Sequence, residues 1–386
     1  MSGGNAWHGI PLVEPAEALG AEEAARAHRQ MLLPGFGETA QRRLRAARVL
    51  VIGAGGLGSA CVPYLAGAGV GAIGIVDDDE VELSNLHRQV AHGTADIGRA
   101  KAESLAETAR SINPGVAIEP HRRRLTAENA LELFGRYDLV IDGSDNFPTR
   151  YLANDAAEML DMPLVWGAIL QYHGQLGVAW RRHGPGYRDL FPAPPAPEDV
   201  LDCGTGGVLP GLCGTVGSLL ATEAMKLITG LGEPLVGRVL LYDALAARTR
   251  ELAYSRDPER EPVAGLIDYE AFCGGAGREP GAPPFVTAEE LAALLRSGEA
   301  PVLLDVRTPE ERERLRIAGS RSLPLRELED RGSRFDGPVL VYCERDPRSM
   351  RAARLLRDRD GAEARFLRGG IRGFAAIAPE LTERSA

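Results

Sequence analysis

A short apolar run that leads straight into a glycine-rich turn constrains the fold of this chain more than any other feature. The run covers residues 49–52 (Val-Leu-Val-Ile), and the turn carries Gly53, Gly55, Gly56 and Gly58. The residues after the turn are predicted to form a helix over 56–68. A strand that enters a helix through a glycine turn is typical of a nucleotide-binding βαβ unit, in which the helix N terminus offers N–H groups to a phosphate.

The alternation of strand and helix continues along the chain. Further strands are predicted at residues 71–77 and 138–142, and further helices at 101–113 and 213–229. Residues 163–180 are interpreted as two strands joined through His173 and Gly174, which would extend the sheet in antiparallel fashion. The pattern predicts an α/β fold with a doubly wound, Rossmann-like, mostly parallel sheet.

Composition divides the 386 residues into four segments. Residues 1–27 are rich in Ala, Gly, Pro and Glu and are predicted to form a flexible arm, and residues 28–255 form the first domain. Residues 256–284 are rich in Arg, Glu, Pro and Gly and are interpreted as a linker. Residues 285–386 carry a second, smaller α/β pattern. A chain of this length can bury two separate cores.

The overall composition excludes several classes of protein. The chain is 44% hydrophobic and 25% charged, with a net charge of -10, which is a globular balance without the basic excess of a nucleic-acid binder. No apolar stretch reaches the roughly 18 residues of a membrane span, and the N terminus lacks a signal-peptide pattern. The five cysteines are odd in number and widely spaced, as in a reducing compartment. We therefore expect a soluble, cytoplasmic protein.

Polar side chains follow the predicted strands, at the edge where an open α/β sheet binds its ligand. Asp77 ends the strand after the glycine turn, where a carboxylate can hold ribose hydroxyls. The other candidates are Asn85, Arg88, Gln89, Lys101 and Asp145. The cations among them can offset the negative charge of phosphate groups. A hydride-transfer site needs no such set of cations.

Several ordered motifs make residues 28–252 similar to the ubiquitin-activating-enzyme-like adenylyltransferases, in particular to the molybdopterin-synthase and thiamine-pathway members. The motifs are Arg29-Gln30, the glycine turn, residues 84–89 (Ser-Asn-Leu-His-Arg-Gln), Lys101, and Ser144-Asp145-Asn146 with Thr149-Arg150. The resemblance implies ATP as the nucleotide and a ubiquitin-like sulfur carrier protein with a C-terminal Gly-Gly as the partner. It also implies a homodimer in which Arg29 reaches into the active site of the other subunit.

The resemblance assigns roles to the residues at the strand ends. Asp77 would bind ribose, Asp145 would hold Mg²⁺, and the triphosphate would be gripped by Asn85, Arg88 and Lys101. These residue types suit the chemistry, because a carboxylate that attacks the α-phosphate meets repulsion between anions that cations must offset. No general base is needed, since a C-terminal carboxylate is ionised near neutral pH.

Residues from Phe285 to the end resemble a rhodanese domain. The supporting segments are residues 303–310, 317–319, 341–349 and 367–371. Cys343 follows a predicted buried strand and opens a loop that runs into a helix near Ser349. Successive N–H groups at such a turn stabilise a thiolate or persulfide anion, so Cys343 is the predicted sulfur-carrying residue. A buried, inert thiol is the alternative.

The residues after Cys343 depart from the small, glycine-containing loops common in rhodaneses. Glu344 and Asp346 place carboxylates beside the sulfur, which would raise the pKa of a persulfide and disfavour anionic donors such as thiosulfate. Arg345 and Arg348 partly counter this effect. A protein persulfide, such as that of a cysteine desulfurase, is therefore favoured as the sulfur donor.

Two further expectations concern cysteines. Cys203 lies in a Pro- and Gly-rich stretch at 183–211 and matches the crossover-loop cysteine of the adenylyltransferase family, whose thiol would attack the adenylate or reduce an acyl disulfide to release a thiocarboxylate. A passive loop cysteine is the alternative. The paired cysteines of the family's zinc site would fall near residues 186–189 and 270–273, where only Cys273 remains. Four donors are needed, so no zinc is predicted.

The sequence thus predicts ATP-dependent adenylation of the carrier's Gly-Gly carboxylate, followed by sulfur transfer from Cys343. Singly, Asn85 and Gln89 could instead cap a loop, Arg88 could be a surface charge, and His87 is interpreted as structural. The glycine turn by itself also fits a nicotinamide-dependent oxidoreductase. A non-enzymatic persulfide-binding scaffold is a further alternative. The missing zinc cysteines are the only hint of it, and the intact Arg29, Arg88, Lys101 and Asp145 argue against it. The sequence does not name the pathway.

Overall fold

The computed structural model describes residues 9–195, 207–273, 283–298, 301–331, 335, 337–344 and 347–383. Among these residues two compact units form, the first from residues 9–194 and 207–270 and the second beginning at Ala271. No helix in the described ranges is both long and apolar enough to cross a membrane.

The first unit is built on one sheet of eight strands. They are β1 Arg48–Ile52, β2 Ala72–Val76, β3 Ala117–His121, β4 Leu139–Asp142, β5 Leu164–Leu170, β6 His173–Ala179, β7 Arg238–Asp243 and β8 Arg248–Ala253. Their order is β3-β2-β1-β4-β5-β6-β7-β8. Strands from β3 to β5 pair in parallel, and β5 to β8 pair antiparallel. The predicted fold class, a mostly parallel sheet with an antiparallel extension, is confirmed.

Helices cover the faces of this sheet. They are α1 Ala21–Met31, α2 Gly37–Ala46, α3 Gly56–Ala68, α4 Lys101–Ile112, α5 Ala130–Phe134, α6 Phe147–Met159, α7 Tyr187–Leu190, α8 Pro210–Thr229 and α9 Tyr269–Cys273, with 3₁₀ turns at Leu83–Asn85 and Thr94–Asp96. Helices α3 and α8 are largely apolar and share one buried core with β1, β2 and β4. Burial on this scale is what stabilises helices that contain several glycines, which alone are poor helix formers.

The order of the strands indicates where on the sheet a ligand would bind. From β1 the chain proceeds to β2 and β3 on one side, whereas β4 lies on the other side of β1. The connections after β1 and β4 therefore diverge, and a crevice opens between the carboxyl ends of these two strands. Open α/β sheets bind their ligands at such a switch point. Ile52 and Asp142, the last residues of β1 and β4, pair directly in this register.

The segment predicted as a loose arm over residues 1–27 is ordered where the structure describes it. Leu12 and Val13 pack against the core of the first unit, and the N–H of Leu12 donates to the carbonyl oxygen of Leu227 at 3.0 Å. Helix α1 begins at Ala21 and buries Ala27. Residues 9–27 therefore belong to the first unit, because apolar side chains between the prolines supply a packing face that composition alone hides.

The turn between β5 and β6 lies earlier than the predicted His173–Gly174. Gln171 and Tyr172 form it, and His173 is already the first residue of β6, paired with Leu170. Gln171 takes the left-handed conformation at φ 53°, which lets the chain reverse without a glycine.

Six charged side chains form a charge network that joins α6 and α7 to the segment after β8. They are Asp155, Glu158, Arg181, Arg188, Asp189 and Arg260. The carboxylate of Asp189, which is 0% exposed, accepts from Arg181 at 3.1 Å and from Arg260 at 3.0 Å. Glu158 accepts from Arg260 at 2.7 Å.

Asp155, three residues before Glu158 on α6, completes the network. It accepts from Arg188 at 2.7 Å and from the hydroxyl of Tyr269 at 2.6 Å. Residues 256–269 are therefore held on the first unit, so the predicted linker over 256–284 begins too early. Most charged residues of this segment are exposed, as its composition suggested, but Arg260 belongs to the network. Asp189 stands within 186–189, where the family's zinc cysteines would fall, and the absence of zinc stays a prediction.

Replacing Asp189 by Ala is expected to lower the free energy of unfolding of the first unit by about 3 kcal/mol, because Arg181 and Arg260 would lose a buried counter-charge. Trp166 and Trp180 lie in this unit, so denaturation followed by tryptophan fluorescence measures it. The matched control is Glu22→Ala, whose partner Arg26 is exposed and whose ion pair contributes less than about 1 kcal/mol.

The effect of Asp189→Ala should also depend on pH. Burial raises the pKa of Asp189, but the N–H of Gly186 and the guanidinium of Arg260 lower it further, so the pKa lies below its ordinary value. A carboxylate whose pKa is lowered by folding stabilises the protein fully at pH values above its pKa in the unfolded chain, about 3.9. This stabilisation is lost as the pH falls through the pKa of the folded state. Asp189→Ala should therefore lower the free energy of unfolding less at about pH 3 than at pH 7. An equal loss at both values would contradict this assignment.

The second unit carries a separate, five-stranded parallel sheet in the order β12-β10-β13-β14-β9 and a short antiparallel pair, β11 with β15. The strands are β9 Phe285–Val286, β10 Val302–Asp305, β11 Arg316–Ile317, β12 Arg321–Ser322, β13 Val339–Tyr342, β14 Ala364–Leu367 and β15 Thr382–Glu383. The helices are α10 Ala288–Ser297, α11 Pro309–Arg314, α12 Leu325–Arg331, α13 Pro347–Asp358 and α14 Gly370–Ile377, with a 3₁₀ turn at Pro379–Leu381. Two apolar clusters lie on its opposite faces.

Candidate active sites

The glycine turn after β1 is shaped by close backbone contacts. Gly53 has φ 89°, a conformation that side chains rarely adopt, and it lies against the backbone of Gly143 after β4. A Cβ at Gly58 would stand 1.9 Å from the carbonyl oxygen of Gly53. The turn therefore needs both glycines to fold as it does, in addition to any approach of a phosphate.

Asp77 stands beside the turn at the end of β2. Its carboxylate accepts from the N–H of Ala54 at 2.7 Å and from the N–H of Asp79 at 2.8 Å. Burial raises its pKa above the ordinary value, although these N–H groups and the charge of Lys101 counter the rise. The predicted ribose-binding carboxylate is thus fixed next to the turn, at the edge where the ribose would lie.

Lys101 is a buried cation at the same edge. It is the first residue of α4, and its Nζ donates to Asp79 Oδ2 at 2.8 Å. The Lys101 side chain is 8% exposed, whereas that of Asp79 is 69% exposed. One partly solvated carboxylate thus balances an ammonium that is otherwise removed from water, and Asp79 holds the ammonium beside the turn.

The segment 84–89 lies over the turn and presents its residues differently. Gln89 is buried next to Gly55, and its Oε1 has no hydrogen-bond partner. Asn85 is also buried and accepts weakly from the N–H of Glu82 at 3.4 Å, which fits a loop-capping role as well as a ligand-binding one. Arg88 is half-buried and donates to the carbonyl oxygen of Ser84 at 3.2 Å. His87 lies 3.0 Å from the same oxygen, in keeping with its structural interpretation.

The residues after β4 form the other wall of the crevice. Asp142 is fully buried, and its Oδ1 accepts from the N–H of Ser144 at 2.9 Å. Arg150 on α6 donates to the carbonyl oxygen of Ser144 at 3.1 Å, with its Nε 3.9 Å from Asp142 Oδ2. Burial raises the pKa of Asp142, while Arg150 acts against the rise. The two side chains fix the peptide that precedes Asp145, which is itself exposed.

Asp142 and Arg150 were not assigned roles at the site from the sequence. Asp142 could have been found as a carboxylate at the end of a buried strand, where it pairs with the residue before the glycine turn. Arg150 stands in the Thr149-Arg150 motif, but the motif does not indicate that this side chain is buried against Asp142, because a basic residue on a helix is ordinarily exposed.

Arg29 lies exposed on α1. The structure contains one chain, so the predicted reach of Arg29 into a second subunit stays a prediction. The one group of three metal-binding side chains that the described residues bring together is Asp77, Asp78 and Asp79, within 4.8 Å of one another. Asp145, the predicted Mg²⁺ ligand, is not part of that group.

In the second unit Cys343 follows β13 and is 1% exposed. Its Sγ donates to Ser349 Oγ at 3.4 Å, and Ser349 is buried in the first turns of α13. The carbonyl oxygen of Cys343 accepts from the N–H of Ile371 at 2.9 Å, which ties the loop to α14. The strand–loop–helix context predicted for the sulfur-carrying residue is therefore present.

The charges around Cys343 are balanced more closely than the sequence suggested. Glu344 accepts from Arg307 at 3.1 Å and from Arg372 at 2.7 Å, so its carboxylate is neutralised by two guanidinium groups. Arg348 is paired with Glu311 at 2.7 Å, which raises the pKa of Arg348 above its ordinary value, and its charge also acts on Cys343. The expected unfavourable effect of Glu344 on the sulfur anion is therefore largely offset. Arg345 and Asp346 lie outside the described residues.

The remaining cysteines differ in position. Cys203 lies outside the described residues, so its role stays a prediction. Cys61 is buried in α3, and burial raises the pKa of its thiol. Cys213 is buried in α8, with its Sγ directly below Gly56 of the glycine turn. Cys61 and Cys213 therefore contribute to the core of the first unit.

Comparison with known protein families settles the class of protein. The model of the ThiF family matches residues 27–263, and that of the rhodanese-like domain matches residues 287–377. The chain belongs to the ThiF family. A rhodanese-like domain follows the ThiF-family part, and this is the two-part organisation that the sequence predicted.

Two of three relatives match nearly the whole chain, and the third matches about two thirds of it. A probable adenylyltransferase/sulfurtransferase of Mycobacterium tuberculosis, MoeZ, is 45% identical over 95% of this chain and 96% of its own length. The adenylyltransferase and sulfurtransferase MOCS3-2 of Zea mays is 38% identical over 93% of this chain and 80% of its own length. A sulfur carrier protein adenylyltransferase of Thermus thermophilus is 52% identical over 66% of this chain and 97% of its own length. This ThiF-family chain is an adenylyltransferase and a sulfurtransferase, as predicted.

Solved structures share the fold of the first unit. Escherichia coli MccB with ATP has a TM-score of 0.56 and 17% identity, and covers 64% of this chain and 75% of its own length. PaaA has a TM-score of 0.54 and 22% identity, and covers 62% of this chain and 76% of its own length. At these identities the likeness extends to the ThiF-type fold alone.

Proposed function

We propose that this chain uses ATP to adenylate the C-terminal Gly-Gly carboxylate of a ubiquitin-like sulfur carrier, and that Cys343 then delivers sulfur to the activated carbonyl. The product is a carrier with a C-terminal thiocarboxylate. Arg29, Arg88 and Lys101 act in the first half of this reaction, and Cys343 and Cys203 in the second.

The observation that carries the first half is a set of buried polar atoms without hydrogen-bond partners in and around the crevice. They are Gln89 Oε1 and Ser144 Oγ, together with Asp142 Oδ2 and Arg150 Nε, which face each other in a long ion pair at 3.9 Å but form no hydrogen bond. Leaving such groups unsatisfied costs about 1–3 kcal/mol each, so their concentration in one place indicates a polar ligand. With the N–H groups of the glycine turn, the Asp77 carboxylate and the Lys101 ammonium, the chemistry fits a nucleoside triphosphate.

In the adenylation step an oxygen of the carrier carboxylate attacks the α-phosphorus of ATP. The bond from that phosphorus to the pyrophosphate oxygen breaks, and the products are an acyl-adenylate and pyrophosphate. Lys101 and Arg88 would offset the negative charge on the α-phosphate and on the departing pyrophosphate, and Asp77 with Gly53, Gly55, Gly56 and Gly58 would position the nucleotide. The support for Lys101 and Asp77 is their burial beside the glycine turn. Asp145 would hold Mg²⁺, which supplies further charge neutralisation when bound.

In the sulfur step the terminal sulfur of a Cys343 persulfide attacks the carbonyl carbon of the acyl-adenylate and expels AMP. The carrier is then joined to Cys343 by an acyl disulfide. The Cys203 thiolate attacks the sulfur of Cys343 and releases the thiocarboxylate, which leaves a disulfide between Cys203 and Cys343 for an external dithiol to reduce. The support for Cys203 is its position in the sequence.

The partners follow from the same scheme. The sulfur donor is a protein persulfide, such as that of a cysteine desulfurase, and the chain works as a homodimer in the cytoplasm. Feeding Cys343 from a desulfurase with cysteine should then load the persulfide faster than thiosulfate does. The support for this preference is the carboxylate of Asp346 in the sequence, since that of Glu344 is neutralised.

Carrier-dependent exchange of labelled pyrophosphate into ATP tests the proposal. Exchange is expected with a carrier that ends in Gly-Gly and not with the same carrier lacking its last glycine, because the attacking carboxylate must reach the α-phosphate. Mass spectrometry of the carrier after addition of a persulfide donor then measures replacement of one carboxylate oxygen by sulfur. Failure of exchange with every Gly-Gly carrier tried would refute the adenylation step.

A further inference from the structure

His92 is a buried histidine that touches the glycine turn but was not selected from the sequence. It is 6% exposed. Its Nε2 lies 2.9 Å from the carbonyl oxygen of Ala54, and its Nδ1 lies 2.8 Å from Ser104 Oγ. A carbonyl oxygen only accepts, so Nε2 carries the proton. Burial lowers the pKa of His92, so the ring is neutral near pH 7 and Nδ1 accepts from the Ser104 hydroxyl.

Ala54 is the residue inside the glycine turn that the surrounding side chains hold at both ends. Its N–H donates to Asp77 Oδ2 at 2.7 Å, and its carbonyl oxygen accepts from His92 Nε2. Its neighbours Gly53 and Gly55 have no side chains that could restrict the backbone. These two hydrogen bonds therefore fix the peptides on either side of Ala54, and the second of these peptides carries the N–H of Gly55.

His92 also connects the turn to the other parts of the site. Its own N–H donates to the carbonyl oxygen of Gln89 at 3.1 Å, in the segment that carries Arg88. Its partner Ser104 lies on α4, three residues after Lys101. His92 thus links the glycine turn and the helix that begins at Lys101 through its imidazole, and the segment 84–89 through its backbone.

We propose that His92 is a positioning residue of the nucleotide site, whose neutral imidazole, oriented by Ser104, holds Ala54 so that the glycine turn is preformed for the phosphates of ATP. This inference rests on the proposed adenylation. His92 does not contact the nucleotide. It acts by removing conformational freedom from the turn before ATP binds, so its loss weakens ATP binding more than it slows the chemical step.

The test compares three variants with the wild type. His92→Phe keeps the ring but removes both nitrogen atoms, His92→Gln keeps an N–H donor near the position of Nε2, and Ser104→Ala removes the group that orients the ring. The matched control is His183→Phe, because His183 is a half-buried histidine after β6 that packs edge-on against Trp180. Equilibrium binding of ATP and carrier-dependent pyrophosphate exchange are measured for each.

His92→Phe is expected to raise the dissociation constant and the KM for ATP about tenfold, with a smaller change in kcat. His92→Gln should recover most of the affinity, and Ser104→Ala should weaken ATP binding in the same direction by less. The KM for the carrier and the loading of Cys343 with persulfide should not change. His183→Phe should bind ATP like the wild type.

Two results would overturn the inference. One is ATP binding by His92→Phe equal to that of the wild type. The other is equal weakening by His92→Phe and His92→Gln together with a lowered Tm in both, which would assign His92 to packing alone. ATP binding needs no carrier, so a wild type that binds ATP but gives no exchange would refute the adenylation while His92 is still tested.

Discussion

Replacing Lys101 by Met is expected to lower carrier-dependent pyrophosphate exchange by about a hundred- to a thousandfold. The Lys101 ammonium is 8% exposed and is the buried cation beside the glycine turn and Asp77. Without it, the carboxylates of Asp77 and Asp79 would face the phosphates with less positive charge to offset them. Removal of one preorganised charge partner from a site that excludes water typically costs this much in rate.

The chain supplies a matched control for this variant, because its lysines are Lys101 and Lys226. Lys226 pairs with Glu223 and donates to the carbonyl oxygen of Glu233 at 2.9 Å, near the end of α8 opposite to Cys213. Lys226→Met should leave exchange unchanged. Lys101→Arg should retain part of the activity, since a guanidinium keeps the charge but not the compact shape. Equal exchange by Lys101→Met and Lys226→Met would show that the ammonium does not serve the nucleotide.

Replacing Cys343 by Ala is expected to reduce thiocarboxylate formation by at least about a thousandfold while pyrophosphate exchange continues at the wild-type rate. The sulfur that attacks the acyl-adenylate is carried on Cys343. Removing a covalent nucleophile removes nearly all of the rate of the step in which it acts. The adenylation residues lie in the other compact unit, with a separate core. The two activities should therefore separate in this variant.

Cys273→Ser is the matched control, because Cys273 is a half-buried cysteine at the end of α9 with no proposed role. It should form thiocarboxylate at the wild-type rate. Mass spectrometry of the carrier, with the persulfide donor in excess, measures both variants. Thiocarboxylate formed at the wild-type rate by Cys343→Ala would mean that sulfur reaches the adenylate by another route.

The sequence predicted the fold where local pattern and tertiary structure agree. The apolar run before the glycine turn could only be a buried strand, and the helix that follows it was predicted with its observed limits, Gly56–Ala68. Strand β3 was missed because it is an edge strand with Pro120 inside it, which removes the alternation that strands usually show. The segment 256–269 was misjudged as a linker because two of its residues, Arg260 and Tyr269, contact partners about a hundred residues earlier in the chain, and composition does not show such contacts.

The candidate sites were predictable to the extent that their residues fall in ordered motifs. Gly53, Asp77, Lys101 and Cys343 all lie beside strand ends or helix starts, as expected from the motifs. His92 and Arg150 are different, since each acts through the backbone of another residue. Such contacts depend on how three or four segments meet in space. One sequence alone does not show which segments come into contact in the folded protein.

The charge network has a practical meaning for the cell that makes this chain. Six side chains hold α6, α7 and the segment after β8 together. Within this network the buried carboxylate of Asp189 accepts from both Arg181 and Arg260. In a cell whose interior turns acidic, neutralising that one group would therefore loosen two attachments of α7 at once.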